Sequence, residues 1–121
     1  VRNWEAERER LLRNAQGDYA RSLKLMRDKD PQLSEDGFHL LTLIAADHID
    51  ELIQEYRRDG PHRYWLLELI AGAGSPRAFD VLAEALDHEE ESYRSRAEGG
   101  LRALDTKEAR RLLFERGRRT R

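Results

Sequence analysis

Residues 61–104 read PHRYWLLELIAGAGSPRAFDVLAEALDHEEESYRSRAEGGLRAL, and their pattern recurs on both sides. Shifting forward by 29 residues places Leu41 on Ile70, Ile44 on Ala73, Ile49 on Ala78, Leu52 on Val81 and Ile53 on Leu82. A further shift of 31 places Ile70 on Leu101, Ala78 on Ala109, Val81 on Leu112 and Leu82 on Leu113. Apolar positions held in register at a period of about 30 residues are the signature of stacked structural repeats.

The repeat can be read physically. Tyr64 to Ala71 is apolar nearly all round and predicts a helix buried on several sides. Gly72 to Pro76 breaks it: Gly74 suits a left-handed helix end, Ser75 an N-cap, and Pro76 the first position of the next helix. Ala78, Val81, Leu82 and Leu86, with Phe79 beside them, predict a second, one-sided helix. Asp87 to Glu91 is a polar turn, and Tyr93-Arg94 leads into Ala97, Leu101 and Leu104 of the next first helix.

His62-Arg63-Tyr64-Trp65, Gly74-Ser75-Pro76-Arg77-Ala78, Leu82 to Asp87, and Tyr93-Arg94 with Ala97 and Leu101 together carry a resemblance. The stretch resembles the short HEAT-like repeat of phycobilisome lyases and related bacterial proteins. Ser75 stands where that pattern usually has Asp, and His62 where it usually has Val. The resemblance covers about half of the chain well and implies an all-α fold. That fold would be a short right-handed α-solenoid, an armadillo-like superhelix of about four antiparallel helix pairs. It carries no function by itself, because unrelated activities share such repeats.

Working outward, a single domain of four repeats is expected, at about 2–29, 33–59, 62–88 and 90–116, followed by a basic tail at 117–121. Residues 2–14 predict a charged helix with Trp4, Leu11 and Leu12 on one side. A break with Gly17 and Asp18 as caps should separate it from a helix marked by Tyr19, Leu23 and Met26. One long helix from Trp4 to Met26 is the alternative, disfavoured because glycine costs about 1 kcal/mol inside a helix. Asp30-Pro31 reads as a stop and turn, with the next helix following from Leu33 and Ser34. Asp47 reads as a cap before Ile49, Leu52, Ile53 and Tyr56, and that helix should end at Asp59-Gly60-Pro61. Gly99-Gly100 weakens the last first helix and could let a neighbour approach closely. The tail from Arg116 to Arg121 is expected to fray.

Composition agrees with thin helical stacking. The chain has 121 residues, 39% of them hydrophobic and 38% charged, well above the charge of an average globular domain. Each helix of a narrow stack exposes a large polar face, so no single repeat buries enough apolar surface to offset its ordering entropy. With no cysteine there is no disulfide frame, thiolate nucleophile or thiolate metal site, which is compatible with a cytoplasmic setting. The apolar runs are too short to span a bilayer. The amino-terminal residues are charged and show no secretory core, and Val1 in place of Met suggests a processed or trimmed start.

Motifs for chemistry are sparse. One group of HEAT-like proteins holds a di-iron centre through His-Glu pairs at the start of first helices, where this chain has Tyr64-Trp65 and Ser95-Arg96. His88-Glu89 occurs once, in a turn, and reads as a solvated acidic turn. His48 with Asp47 and Asp50 could form a weak cation site but reads better as capping and surface. His62 and His88 read as surface turn residues. Gly72-Ala73-Gly74 lacks the strand and lysine of a phosphate loop, and no strained Gly-x-Ser-x-Gly turn is present. No catalytic residue, cofactor or metal is expected, and the chain is read as a non-enzyme.

Charge is asymmetric although the net is −2. Nine carboxylates lie between Asp28 and Asp59 against Lys29, Arg57 and Arg58; seven basic residues lie between Lys107 and Arg121 against Glu108 and Glu115. Such asymmetry can steer a partner. The second helices of stacked repeats line an equivalent-position surface. Its expected partner-binding residues are Asp50, Glu51, Gln54, Arg77, Asp80, Glu84, Glu108, Arg110 and Arg111. Tyr56, Tyr64, Trp65 and Phe79 would be aromatic anchors if exposed, but at helical spacing they read as core, Phe79 least firmly. The expectation is a non-catalytic scaffold that binds another protein, as a monomer or weak dimer, with no membrane. An immunity protein neutralising a toxin through the acidic face is the alternative, followed by a bilin-lyase-like subunit. Nucleic acid, as gripped by the HEAT-like alkylpurine DNA glycosylases, would use Arg77, Lys107, Arg110 and Arg111. It is disfavoured because Asp50, Glu51, Glu55, Asp80 and Glu84 would repel phosphate. Leu101→Asp is expected to unfold at least the carboxyl half, and Arg110→Asp to matter little.

Overall fold

A computed structural model describes residues 3–58 and 60–119. Asp59, within the expected helix stop, lies outside the described residues, as do Val1, Arg2, Thr120 and Arg121. Among the described residues the chain is all-helical, with no strand: α1 (Trp4–Ala15), α2 (Tyr19–Met26), α3 (Pro31–Ile44), α4 (Ile49–Arg57), α5 (Arg63–Gly72), α6 (Phe79–Ala85), α7 (Glu91–Leu104) and α8 (Lys107–Arg119). Single 3₁₀ turns, Ala46–His48 and Pro76–Ala78, precede α4 and α6. The chain divides into two compact units, 1–48 and 49–121.

The helix boundaries follow from short polar side chains and left-handed residues. Asn3 caps α1 by accepting from Ala6 N–H, and Asp18 caps α2 by accepting from Arg21 N–H at 2.9 Å. Gly17 takes φ +74° between them, so the break holds and the single long helix does not form. Asp30 accepts from Gln32 and Leu33 N–H, with Pro31 at the first helical position, so Asp30-Pro31 starts α3 rather than forming a separate turn before Leu33. Gly74 adopts φ +68°, and Ser75 accepts from Arg77 N–H at 3.3 Å ahead of Pro76, as expected. Asp47 sits exposed in the 3₁₀ turn. At the other end α8 stays helical to Arg119, because Arg116 donates to the Asp87 carboxylate at 2.8 Å and to the Leu86 carbonyl; the expected fraying from Arg116 is corrected to that extent.

Within residues 1–48, two buried serines perform the same task. Ser22 donates to the carbonyl of Ala15, the last residue of α1, and Ser34 to that of Met26, the last residue of α2, each at 2.8 Å. Each hydroxyl thus satisfies a helix-end acceptor that has no partner within its own helix. Gly37 of α3 lies against the α2 backbone: an added Cβ would sit 2.7 Å from the Ser22 carbonyl oxygen and closer still to Met26 N. Ala15, Leu25 and Leu33 form a core cluster with Leu12 and Leu40 against it. Arg8 of α1 clasps Asp36 of α3 through two bonds at 2.8 and 2.9 Å. Leu12 therefore points inward as expected, while Trp4 and Leu11 remain exposed.

Within residues 49–121, α4 packs on α5, α5 and α6 on α7, and α7 on α8. Leu66, Leu67, Leu69, Ile70 and Ala71 are all buried, which matches the all-round apolar reading of α5. Ala78, Val81, Leu82, Ala85 and Leu86 bury one side of the following segment. Gly100 of α7 meets Ala71 and Leu82 so closely that an added Cβ would lie 2.9 Å from Ala71 Cβ. Gly99 is exposed, and a Cβ added there would meet only Arg96. Asp105 closes α7 in the left-handed conformation, and Thr106 Oγ1 accepts from Ala109 N–H to open α8.

Candidate functional site

All nine residues expected to meet a partner are exposed, and all lie within residues 49–121. Asp50, Glu51 and Gln54 stand on α4, Arg77 on the 3₁₀ turn, Asp80 and Glu84 on α6, and Glu108, Arg110 and Arg111 on α8. Asp50, Arg77, Glu84 and Arg110 are also part of the fold's own ion pairs. Arg77 grips Asp50 through two bonds of 3.0 and 2.8 Å. Glu84 accepts two bonds from Arg57, which sequence reasoning had counted only as a cation in an acidic stretch. That pairing holds the Glu84 carboxyl below its usual pKa. Arg110 turns back to the Asp105 carboxylate and carbonyl. Asp50–Arg77 and Arg57–Glu84 are each 27 residues apart, and Asp87–Arg116 is 29.

Glu108 and Arg111 come together elsewhere. With Phe79, Lys107, Leu112 and Glu115 they line an open groove of about 450 Å³ between the start of α6 and α8. Its floor is apolar, from half-buried Phe79 and Leu112, and its walls alternate in sign. Phe79 is thus neither a core residue nor a free anchor. The offset of Phe79 from the Ala78, Val81 and Leu82 stripe was the signal for this.

The aromatic residues collect along a different edge. Tyr56 is buried, its ring covered by the Arg63 guanidinium at 4.3 Å, and burial raises the phenol's pKa. Tyr64 meets Tyr93 edge-on at 5.2 Å, and Tyr93 stacks on His88 at 3.9 Å. His62 takes a left-handed φ of 61° and stacks on Trp65. His62 and His88 are therefore half-buried stacking partners, a correction to their reading as surface turn residues. Their spacing from an aromatic, three and five residues on, was visible in the sequence but carried no weight without the turn geometry.

The acidic stretch 28–59 is committed internally at several points. Asp28 accepts from Asp30 N–H, Asp30 caps α3, Asp36 binds Arg8, Asp50 binds Arg77, and Glu55 binds Arg58 at 3.2 Å. His48, considered with Asp47 and Asp50 for a cation, stacks on Tyr19 at 4.9 Å. Among the described residues no group of three His, Asp or Glu converges to hold a metal ion, and no helix is long and apolar enough to cross a membrane. No family model matches the chain, and no curated protein or solved structure matches it.

Proposed function

We propose that the chain is a HEAT-like repeat scaffold without chemistry of its own, which binds another protein through the exposed faces of α4, α6 and α8. The observation that carries this reading is the near-constant separation of 27, 27 and 29 residues in the ion pairs Asp50–Arg77, Arg57–Glu84 and Asp87–Arg116. Side chains about one repeat apart that reach each other are what neighbouring two-helix repeats bring side by side. Burial supports the same register: Leu41, Ile70 and Leu101 are fully buried, as are Ala78 and Ala109. On this reading the ion pairs hold the second helices in place. The contacts to the partner fall to Gln54 and Asp80 on the exposed faces of α4 and α6 and to Glu108 and Arg111, which line the Phe79 groove.

Walls of alternating sign favour a protein surface, which can match both signs, over a polyanion. The test is quantitative capture from a cell extract by the wild-type chain and by an Asp80→Lys/Arg111→Glu variant. A protein retained by the first and lost at least tenfold by the second, with unchanged melting temperature, supports the reading. Recovery of nucleic acid alone, or a metal-dependent turnover by the purified chain, would overturn it.

A further inference from the structure

The shifts of 29 and 31 residues that superpose the apolar positions also superpose charged ones. They carry Asp50 onto Phe79 and Arg77 onto Glu108, and likewise Arg57 onto Leu86 and Glu84 onto Glu115. Between α4 and the segment carrying Arg77 and Glu84, the earlier members form two clasps, Asp50–Arg77 and Arg57–Glu84. Each is a guanidinium bonded twice to one carboxylate. Between α6 and α8 the later members form neither clasp. Phe79 and Leu86 are apolar, and both positions on α8 are carboxylates. Arg116, beside Glu115, is committed to Asp87.

The groove of about 450 Å³ opens where the equivalent of Asp50–Arg77 is missing, with Phe79 and Glu108 both in its lining. The winding of α8 orders the charges on its wall. At roughly 100° per residue, Glu108 and Glu115 stand within about 60° of Leu112, while Arg111 is about 100° and Lys107 about 140° away. The carboxylates therefore border the apolar floor, and the cations form the outer rim. Among the described residues no ion pair holds any of these four.

We propose that the groove takes an arginine side chain of the partner protein. Its guanidinium lies over Phe79 and donates to Glu108, its stem covers Leu112, and Glu115 adds a second carboxylate. Lys107 and Arg111 on the rim attract acidic neighbours of that arginine. The partner thus supplies a cation that the repeat omits. Arginine suits the place better than lysine, because a planar guanidinium both stacks on an aromatic ring and bonds a carboxylate through two N–H groups. An acidic anchor would meet Glu108 and Glu115 at the floor and be repelled there. This rests on the scaffold reading and narrows its partner.

Amide chemical shifts of the isotope-labelled whole chain, titrated with the peptide acetyl-Asp-Ala-Arg-Ala-Asp-amide to about 20 mM, test it. Saturable shifts should centre on Phe79, Glu108, Leu112 and Glu115. The same peptide with citrulline, which keeps the shape of arginine without its charge, should bind at least about tenfold more weakly. Glu108→Gln/Glu115→Gln, at exposed positions, should weaken the arginine peptide as much while keeping the wild-type melting temperature. Absence of saturable shifts, equal binding of the citrulline peptide, or binding that survives in the double variant overturns the proposal. Extract capture separates this from the scaffold reading. A protein lost from Asp80→Lys/Arg111→Glu but fully retained by Glu108→Gln/Glu115→Gln keeps the scaffold and overturns the arginine anchor. Charge-dependent peptide binding in the groove with no protein captured keeps the arginine site and removes the scaffold.

Discussion

Gly99 and Gly100 are neighbours with opposite roles. At Gly99 an added Cβ would touch only the Arg96 guanidinium at 3.6 Å, so Gly99→Ala removes backbone freedom at no steric cost and should stabilise by about 0.5–1 kcal/mol. At Gly100 the Cβ would lie 2.9 Å from Ala71 Cβ and 3.1 Å from Leu82 Cδ1, so Gly100→Ala should destabilise, with about 1–3 kcal/mol of overpacking outweighing the same backbone gain. Urea melts of the two variants should therefore move in opposite directions; a shared direction would contradict the α5–α7 contact. The sequence announced a close approach somewhere in Gly99-Gly100 but could not choose between them. One residue is about 100° of helix phase, and only the neighbour's position says which phase faces it. Gly37 was less legible still, one small residue in an apolar helix, although the close approach of α3 to the α2 backbone depends on it.

At the scale of elements, ion pairs join α4 to the segment carrying Arg77 and Glu84. Glu84 is exposed and its carboxyl pKa is lowered chiefly by the bonds from Arg57. Because the folded value lies below the ordinary one, this stabilisation is present above the ordinary carboxylate range. It is lost as pH falls through the lowered value. The wild type should therefore exceed Glu84→Gln in stability at pH 7 by less than about 1 kcal/mol, and the gap should close in acid and shrink in high salt. Melting curves across the acid limb check this, and a gap that widens as pH falls would refute the pairing. A double-mutant cycle on Asp50→Asn and Arg77→Gln should give a coupling of similar size, at most about 1 kcal/mol. Sequence pattern placed Asp50, Arg77 and Glu84 on exposed helix faces, and they are exposed. Their engagement with one another and with Arg57 was hidden, because periodicity reports the direction of a side chain and says nothing of what its far end reaches. The acidic stretch was misleading for the same reason: its carboxylates count as excess charge in one dimension and serve as caps and clasps in three.

For the molecule as a whole, the apolar register was the most legible feature, since burial of Leu41, Ile70 and Leu101 needs only the 3.6-residue period and the spacing between segments. It weakens where α8 is reached. Leu112 and Leu113 share the register of Val81 and Leu82, yet they are half-buried while the latter two are fully enclosed. α8 packs on α7 with its far side open, so the same sequence position encloses less surface there. This difference ranks the consequences of placing a charge. Leu101 is fully enclosed in α7, next to the Gly100 approach, and Leu101→Asp buries a carboxylate without a partner, a cost of several kcal/mol that a helical unit of this size does not withstand. Amide exchange protection should vanish across α5 to α8 in that variant. Arg110→Asp is a poorer control than its exposure suggests, because Arg110 holds the Asp105 carbonyl and carboxylate at the left-handed end of α7, and losing those contacts beside a like charge should cost up to about 1 kcal/mol. Arg111→Asp, at an exposed position with no such bond, should leave the melting temperature within about a degree of wild type. Protection that persists in α7 of Leu101→Asp, or a loss in Arg111→Asp equal to that in Leu101→Asp, would show that α7 does not sit at the centre of residues 49–121.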